Sequence, residues 1–325
     1  MSSRIRVGAL GNARILKRFI TDHGVNPLID FQMIATRSAI AADKARQTYP
    51  KKLIAQRYED ALESKDLEAI YICLPSGLHF TWAEKALAAG KNVLIEKPAV
   101  IKAEDAQTLA ALAQSRQLIV MEAWWYRFHP LVKAVRDLIA SESLGKIRFI
   151  TSNFSYVNTD LSDSRWKADL GGGALNDLFC YHVDFLNHVM GIKNQDVVLV
   201  QAFGQTSQGV DASISAELVT NSGVVCQFVS AINRHSMCKT FIVGERGSLE
   251  IPHLRILPEM GASMFMRHDS SGTTTHSFDA TDAYLLMLNA FADAVIHKRP
   301  PQAGADDMIE NTKLLTRIRV ASQEA

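Results

Sequence analysis

Lys97 closes the apolar run Asn92–Glu96 and precedes Pro98, so an ammonium group stands at the carboxyl end of a predicted strand. Open α/β sheets bind their ligands at that edge. A lysine there can hydrogen-bond a reacting oxygen and stabilise alkoxide character during hydride transfer. Pro98 cannot continue the ladder and fixes the turn that aims the lysine. The plain alternative is a surface lysine at a strand end. Asp177 and Tyr181 lie four residues apart on a predicted helix and share one face. His182 follows and points elsewhere on an intact helix, but a one-residue slip would exchange it with Tyr181.

The first strand runs into Gly11-Asn12-Ala13-Arg14-Ile15-Leu16, where the dinucleotide fingerprint G-x-G-x-x-G reads G-x-A-x-x-L. Gly11 supplies the tight turn, Ala13 adds a methyl where backbone approaches a pyrophosphate, and Leu16 loosens the helix–strand contact. Alone, the loop fits a strand–helix turn without ligand equally well. The second strand ends Ala35-Thr36-Arg37-Ser38, without the acid that accepts hydrogen bonds from ribose hydroxyls in NAD sites. Arg37 can lie over an adenine and pair with a 2′-phosphate, with Thr36 and Ser38 offering hydroxyls to the same group. The bland reading is a solvated Arg37 opening a helix that Ser38 caps. NADP(H) is expected over NAD(H).

The elements that must position these residues fall into two textures. Up to about residue 125, short apolar runs (Ile5–Leu10, Phe31–Thr36, Ala69–Leu74, Asn92–Glu96, Leu118–Glu122) alternate with helical patterns at Ala39–Thr48, Leu78–Ala89 and Ala103–Gln114. That alternation predicts a doubly wound parallel sheet. Beyond about residue 145, Arg148–Val157, Val197–Gly204, Ala212–Leu218, Val224–Ile232 and Lys239–Val243 read as longer alternating strands. Helical stretches stand at Leu175–Val189, Ala283–His297 and Asp306–Ala321. The fold class is therefore α/β: an N-terminal Rossmann domain, residues 1–125, and a C-terminal α+β domain with an open, mostly antiparallel sheet, residues 126–325.

Composition is that of a globular protein: 47% hydrophobic and 21% charged residues exclude a disordered or collagen-like chain. With 35 Lys plus Arg against 34 Asp plus Glu, the net charge of +1 gives no reason to expect nucleic acid or an anionic membrane as partner. Cys73, Cys180, Cys226 and Cys238 are far apart and the histidines scattered, so no metal is expected. Nothing in the first residues reads as a signal peptide, and a cytoplasmic location is expected. Asp269–Thr275 reads as an exposed hairpin turn.

Cys73-Leu74-Pro75-Ser76-Gly77-Leu78-His79, Asn92-Val93-Leu94-Ile95-Glu96-Lys97-Pro98 and Gly171-Gly172-Gly173-Ala174-Leu175-Asn176-Asp177-Leu178-Phe179-Cys180-Tyr181-His182, in this order and spacing, resemble the Gfo/Idh/MocA oxidoreductases. The resemblance runs from Ile5 to Ala321 and implies an NADP(H)-dependent oxidoreductase. It would move a hydride between nicotinamide and a secondary alcohol or carbonyl of a sugar, cyclic polyol or trans-dihydrodiol. It implies Lys97 as the group that stabilises the reacting oxygen, Tyr181 as proton carrier where many relatives have His, with His182 in reserve should the register slip by one, and Asp177 as the group that orients substrate or Lys97. Tyr ionises near pH ~10 when unperturbed, so positive charge nearby is required.

The resemblance further implies a cofactor site made by Gly11, Asn12, Ala13, Thr36, Arg37, Ser38, Leu74, Pro75, Ser76, His79, Glu96 and Lys97, and a cis peptide before Pro98. Substrate is expected to meet Trp125, Arg127, Arg165 and His182. A homodimer or homotetramer is implied, paired through the second-domain sheet. A ketoreductase of a nucleotide-linked sugar and a non-catalytic dinucleotide sensor are the alternatives.

Overall fold

The computed structural model describes residues 4–22, 26–253 and 260–323. They divide into two compact units, Met1–Trp124 with Tyr284–Ile309, and Trp125–Ala283 with Glu310–Ala325.

The first unit is built on a six-stranded sheet of β1 (Ile5–Leu10), β2 (Ile29–Ala35), β3 (Leu53–Ala55), β4 (Ala69–Ile72), β5 (Asn92–Ile95) and β6 (Val120–Glu122), in the order β3-β2-β1-β4-β5-β6. Every pairing is parallel. Strands buried on both faces need continuous apolar runs, and β4 and β5 supply them with Ala69, Ile70, Tyr71 and Ile72 beside Val93, Leu94 and Ile95, all buried. β3, only three residues long and with Leu53 exposed, carries no alternation that a sequence pattern could register.

Helices α1 (Arg14–Lys17), α2 (Ala39–Thr48), α3 (Tyr58–Glu63), α4 (His79–Ala88) and α5 (Ala103–Arg116) connect the strands. The sheet order turns at β1, which pairs with both β2 and β4 and so makes the switch point where such folds bind ligands. The chain returns to this unit late: Phe19 meets the ring of Tyr284 at 5.9 Å, and the N–H of Glu122 donates to the Ala303 carbonyl at 2.9 Å.

The second unit carries an eight-stranded sheet of β7 (Ile147–Val157), β8 (Val197–Ser207), β9 (Val210–Thr220), β10 (Val225–Ala231), β11 (Asn233–Gly244), β12 (Gly247–Ile251), β13 (Ser263–Asp269) and β14 (Gly272–Phe278). Its order is β14-β13-β12-β11-β7-β10-β9-β8, antiparallel except for the parallel pair β7–β10. Asp269 pairs with Gly272 across the β13–β14 hairpin, as expected for that polar turn. Helix α6 (Pro130–Ala140) starts at the ring of His129, whose Nδ1 accepts the Leu131 N–H at 3.1 Å. The expected helix Leu175–Val189 begins as a wider π turn, Leu175–Phe179, and continues as α7 (Cys180–His188). Helices α8 (Ala283–His297) and α9 (Ala305–Gln323) follow. Among the described residues no helix is long and apolar enough to cross a membrane.

Candidate active site

In the first unit the cofactor candidates gather at the carboxyl ends of the strands. Gly11 adopts φ +104°, and a Cβ there would meet the Cys73 carbonyl oxygen at 3.0 Å and the Leu74 side chain at 3.1 Å, so the turn after β1 requires glycine. Asn12 and Ala13 continue the turn, with Ala13 preceding α1 in an extended conformation. At the end of β2, Arg37 is exposed and holds its guanidinium carbon 5.2 Å from the centroid of the Tyr58 ring. Ser38 caps α2, its Oγ accepting from the Ala41 N–H at 3.4 Å, and its own O–H stays available as a donor. Thr36 departs from expectation. It is buried, and its hydroxyl donates to the Ser38 carbonyl at 3.3 Å, so it shapes the turn rather than offering a hydroxyl to a ligand.

The turn after β4 is tied to the turn after β5 through His79. Its Nδ1 lies 2.9 Å from the Pro98 carbonyl and its Nε2 lies 2.7 Å from the Leu74 carbonyl. Burial pulls this imidazole below its ordinary pKa, against the two carbonyls that favour a second N–H. Pro75 and Ser76 enter the short turn Ser76–Leu78 that delivers the ring. The Lys97–Pro98 peptide is cis. Glu96 accepts from the buried hydroxyl of Tyr71 at 2.7 Å, and the N–H of Ala99 donates to Glu122 Oε1 at 2.8 Å, so both flanks of Lys97 are pinned by buried partners.

In the second unit, Tyr181 is enclosed. The indole N–H of Trp125 donates to its hydroxyl oxygen at 3.2 Å, and the rings of Tyr126 and Phe154 stand 5.7 and 5.4 Å away. Asp177 accepts from the Tyr156 hydroxyl at 2.6 Å and from Arg165 Nε at 2.9 Å, both on Oδ2. Arg165, half-exposed, also bonds Asp163 and bridges the two acids.

Two substrate candidates have other tasks. Arg127 is fully buried and grips Asp184 through two nitrogens, and Asp184 also accepts from the Tyr126 hydroxyl and from Asn311 Nδ2. A guanidinium neutralised inside the protein is a structural ion pair, not a substrate contact. His182 is buried in the layer between helix and sheet, stacked on Phe228 at 4.9 Å with Phe179 edge-on at 5.2 Å, and its Nε2 lies 3.1 Å from Ser230 Oγ. Burial pulls its pKa down to about 4, so it is a neutral core histidine. Tyr181 and His182 thus face different surroundings, and no slip of register exchanges them.

Tyr58, Tyr71 and Tyr156 hold candidate residues in place, and no spacing in the sequence singles them out. A bound dinucleotide fits the first unit, where the Gly11 turn, the Ser38 hydroxyl and the Arg37 guanidinium stand at the switch-point edge with no acid closing β2.

Residues 5–123 match the model of the oxidoreductase family with NAD-binding Rossmann fold, and residues 132–250 match the GFO/IDH/MocA C-terminal domain. The chain is 31% identical over 307 residues to the dTDP-3,4-didehydro-2,6-dideoxy-α-D-glucose 3-reductase of Streptomyces violaceoruber, covering 93% of this chain and 88% of that protein. It is 32% identical over 263 residues to D-xylose 1-dehydrogenase (NADP(+)) 2 of Haloferax volcanii, covering 80% of each. A 3-ketoreductase from Actinomadura kijaniata, crystallised with NADP and TDP-benzene, has the same fold with a TM-score of 0.90 and 26% identity over 98% of both chains. The chain belongs to the GFO/IDH/MocA family of NAD(P)-dependent oxidoreductases.

Proposed function

We propose that this oxidoreductase uses NADP(H) and interconverts a secondary alcohol and a carbonyl on a sugar. The observation that carries the chemical part is the enclosed Tyr181 with the Trp125 N–H aimed at its oxygen. A bound nicotinamide would supply or accept the hydride. Tyr181 gives a proton to the substrate oxygen in reduction and takes it back in oxidation, and the Trp125 donor stabilises negative charge left on the phenol oxygen. Lys97 stabilises charge on the substrate oxygen, and the pinned turns around it limit the positions its ammonium group can take. Asp177, neutralised by Arg165, orients hydroxyl groups of the substrate. NADP(H) over NAD(H) is supported by Arg37 and by the named cofactor of two relatives.

A nucleotide-linked keto sugar is the second reading. Its support is that a relative matched over 307 residues is named as a reductase of such a substrate, and that a 3-ketoreductase of the same fold was crystallised with TDP-benzene. NADPH oxidation followed with nucleotide-linked keto sugars, and NADP+ reduction followed with free aldoses, inositols and cyclic diols, tests both. Turnover by one class alone selects it.

A homodimer or homotetramer is proposed as well. Strand register aligns Leu199, Val219, Val225, Phe149 and Val243 in one row across five neighbouring strands, and Leu199 and Val243 are exposed. Such a stripe suits a partner sheet. A monomeric mass at micromolar concentration contradicts this assembly.

A further inference from the structure

We propose that Asp211 is a positioning residue for the active-site helix: from the start of β9 its carboxylate clamps the backbone at residues 173–175 and so fixes where Asp177 and Tyr181 project. Asp211 Oδ2 accepts the Leu175 N–H at 2.6 Å across 36 residues of sequence. The N–H of Ala174 also favours the charged form of this carboxylate. Its other oxygen occupies the space over Gly173. A Cβ on that residue would lie 1.9 Å from Oδ1 and 2.8 Å from Cγ, and Gly173 already adopts φ +107°. Carboxylate and glycine are therefore one device, because only a residue without a side chain lets the acid come so close.

The clamp acts on the segment that holds the proposed site residues. Gly173 donates its N–H to the Arg165 carbonyl at 2.9 Å and accepts from the Asp177 N–H at 3.1 Å. The side chain of the same Arg165 bonds Asp177. Next along the turn, Asn176 donates to the Gly171 carbonyl at 3.0 Å and accepts from Arg319 Nη2 at 2.8 Å. The first N–H groups of a helix lack partners within it, and a negative charge placed there satisfies them and opposes the helix dipole favourably. Here the anion comes from a strand, so the first turn of the helix is registered to the sheet. Burial pushes the Asp211 carboxyl up to about 6, which leaves it ionised at neutral pH.

The roles of Asp177 and Tyr181 rest on the proposed function, so the test includes a readout that needs no substrate. Full-length wild type, Asp211→Asn, Asp211→Ala, Gly173→Ala and the Gly173→Ala/Asp211→Ala pair are compared by hydrogen exchange at residues 174–181, NADPH binding and steady-state kinetics. Asp211→Asn is expected to speed exchange at 174–181 while leaving β4, β5 and β9–β11 protected. It is expected to lower kcat about tenfold to a hundredfold with KM and NADPH affinity within about twofold of wild type. The pair is expected to lose no more than the worse single variant, since both changes break one contact. Unchanged exchange at 174–181 in both Asp211 variants overturns the clamp, as does loss of protection spread over the whole sheet. Normal kcat with locally faster exchange overturns the positioning role. If no substrate is turned over by wild type, the functional reading fails, and local exchange still decides for or against Asp211.

Discussion

The indole N–H of Trp125 and the phenol oxygen of Tyr181 form a hydrogen bond of 3.2 Å, with both side chains buried. A donor held against that oxygen stabilises negative charge there, so proton transfer through Tyr181 depends on Trp125. Tyr181→Phe is expected to lower kcat about 10²–10⁴-fold, and Trp125→Phe, which keeps the packing but loses the donor, about tenfold. Both should leave NADPH affinity unchanged in a fluorescence titration. Wild-type turnover by Tyr181→Phe removes the phenol from the chemistry.

Arg37 over Tyr58 is the second relationship with a kinetic consequence. Arg37→Ala is expected to raise KM for NADP+ about 10- to 100-fold, the scale of a lost charge-assisted hydrogen bond, while KM for NAD+ stays level or falls. Tyr58→Leu frees the guanidinium and should act in the same direction more weakly. An equal loss with both cofactors shows that Arg37 does not read the 2′-phosphate.

Arg127→Met separates an internal ion pair from a substrate contact. Removing one partner strands Asp184 in the core, and a loss of about 3–5 kcal/mol in urea unfolding is expected. KM of the surviving folded fraction should be unchanged. A raised KM with full stability restores the substrate role.

His182 and Asp211 give stability opposed dependences on pH. The folded pKa of His182 is about 4 against an ordinary 6.5, so between these values the unfolded chain binds more protons, and stability is lost as pH falls through the window. Asp211 is about 6 against an ordinary 3.8, so the native state binds more protons there, and its contribution is lost as pH rises. Each amounts to about 3 kcal/mol at its plateau. Relative to wild type, Asp211→Asn should steepen acid destabilisation between about pH 6.5 and 4, and His182→Gln should flatten or reverse it. Denaturant midpoints across that range check both signs, and identical slopes in all three proteins contradict them.

The sequence made much of this legible where local chemistry decides the structure. Largely apolar runs mark β4 and β5 because a strand buried on both faces has few places for an unpartnered polar group, and Lys97 follows two residues after β5 stops. The spacing of Asp177 and Tyr181 identified a shared element, but not that the helix starts as a π turn. The partners that fix the site were not legible. Asp211 meets Leu175 from 36 residues away, and Tyr71 reaches Glu96 from 25 away, so neither pair leaves a local pattern. Arg127 and His182 misled for a related reason. A charged or titratable side chain beside a motif reads as functional until its burial is known, and here Asp184 and Phe228 claim them.

The most direct measurement is nicotinamide absorbance during turnover by wild type, with NADP(H) and NAD(H) tested separately on free sugars, cyclic diols and nucleotide-linked keto sugars. Turnover of a sugar substrate preferring NADP(H), and abolished in Tyr181→Phe, is the expected result. Absence of both turnover and nucleotide binding contradicts the proposed function, and binding without any turnover leaves a dinucleotide sensor in its place.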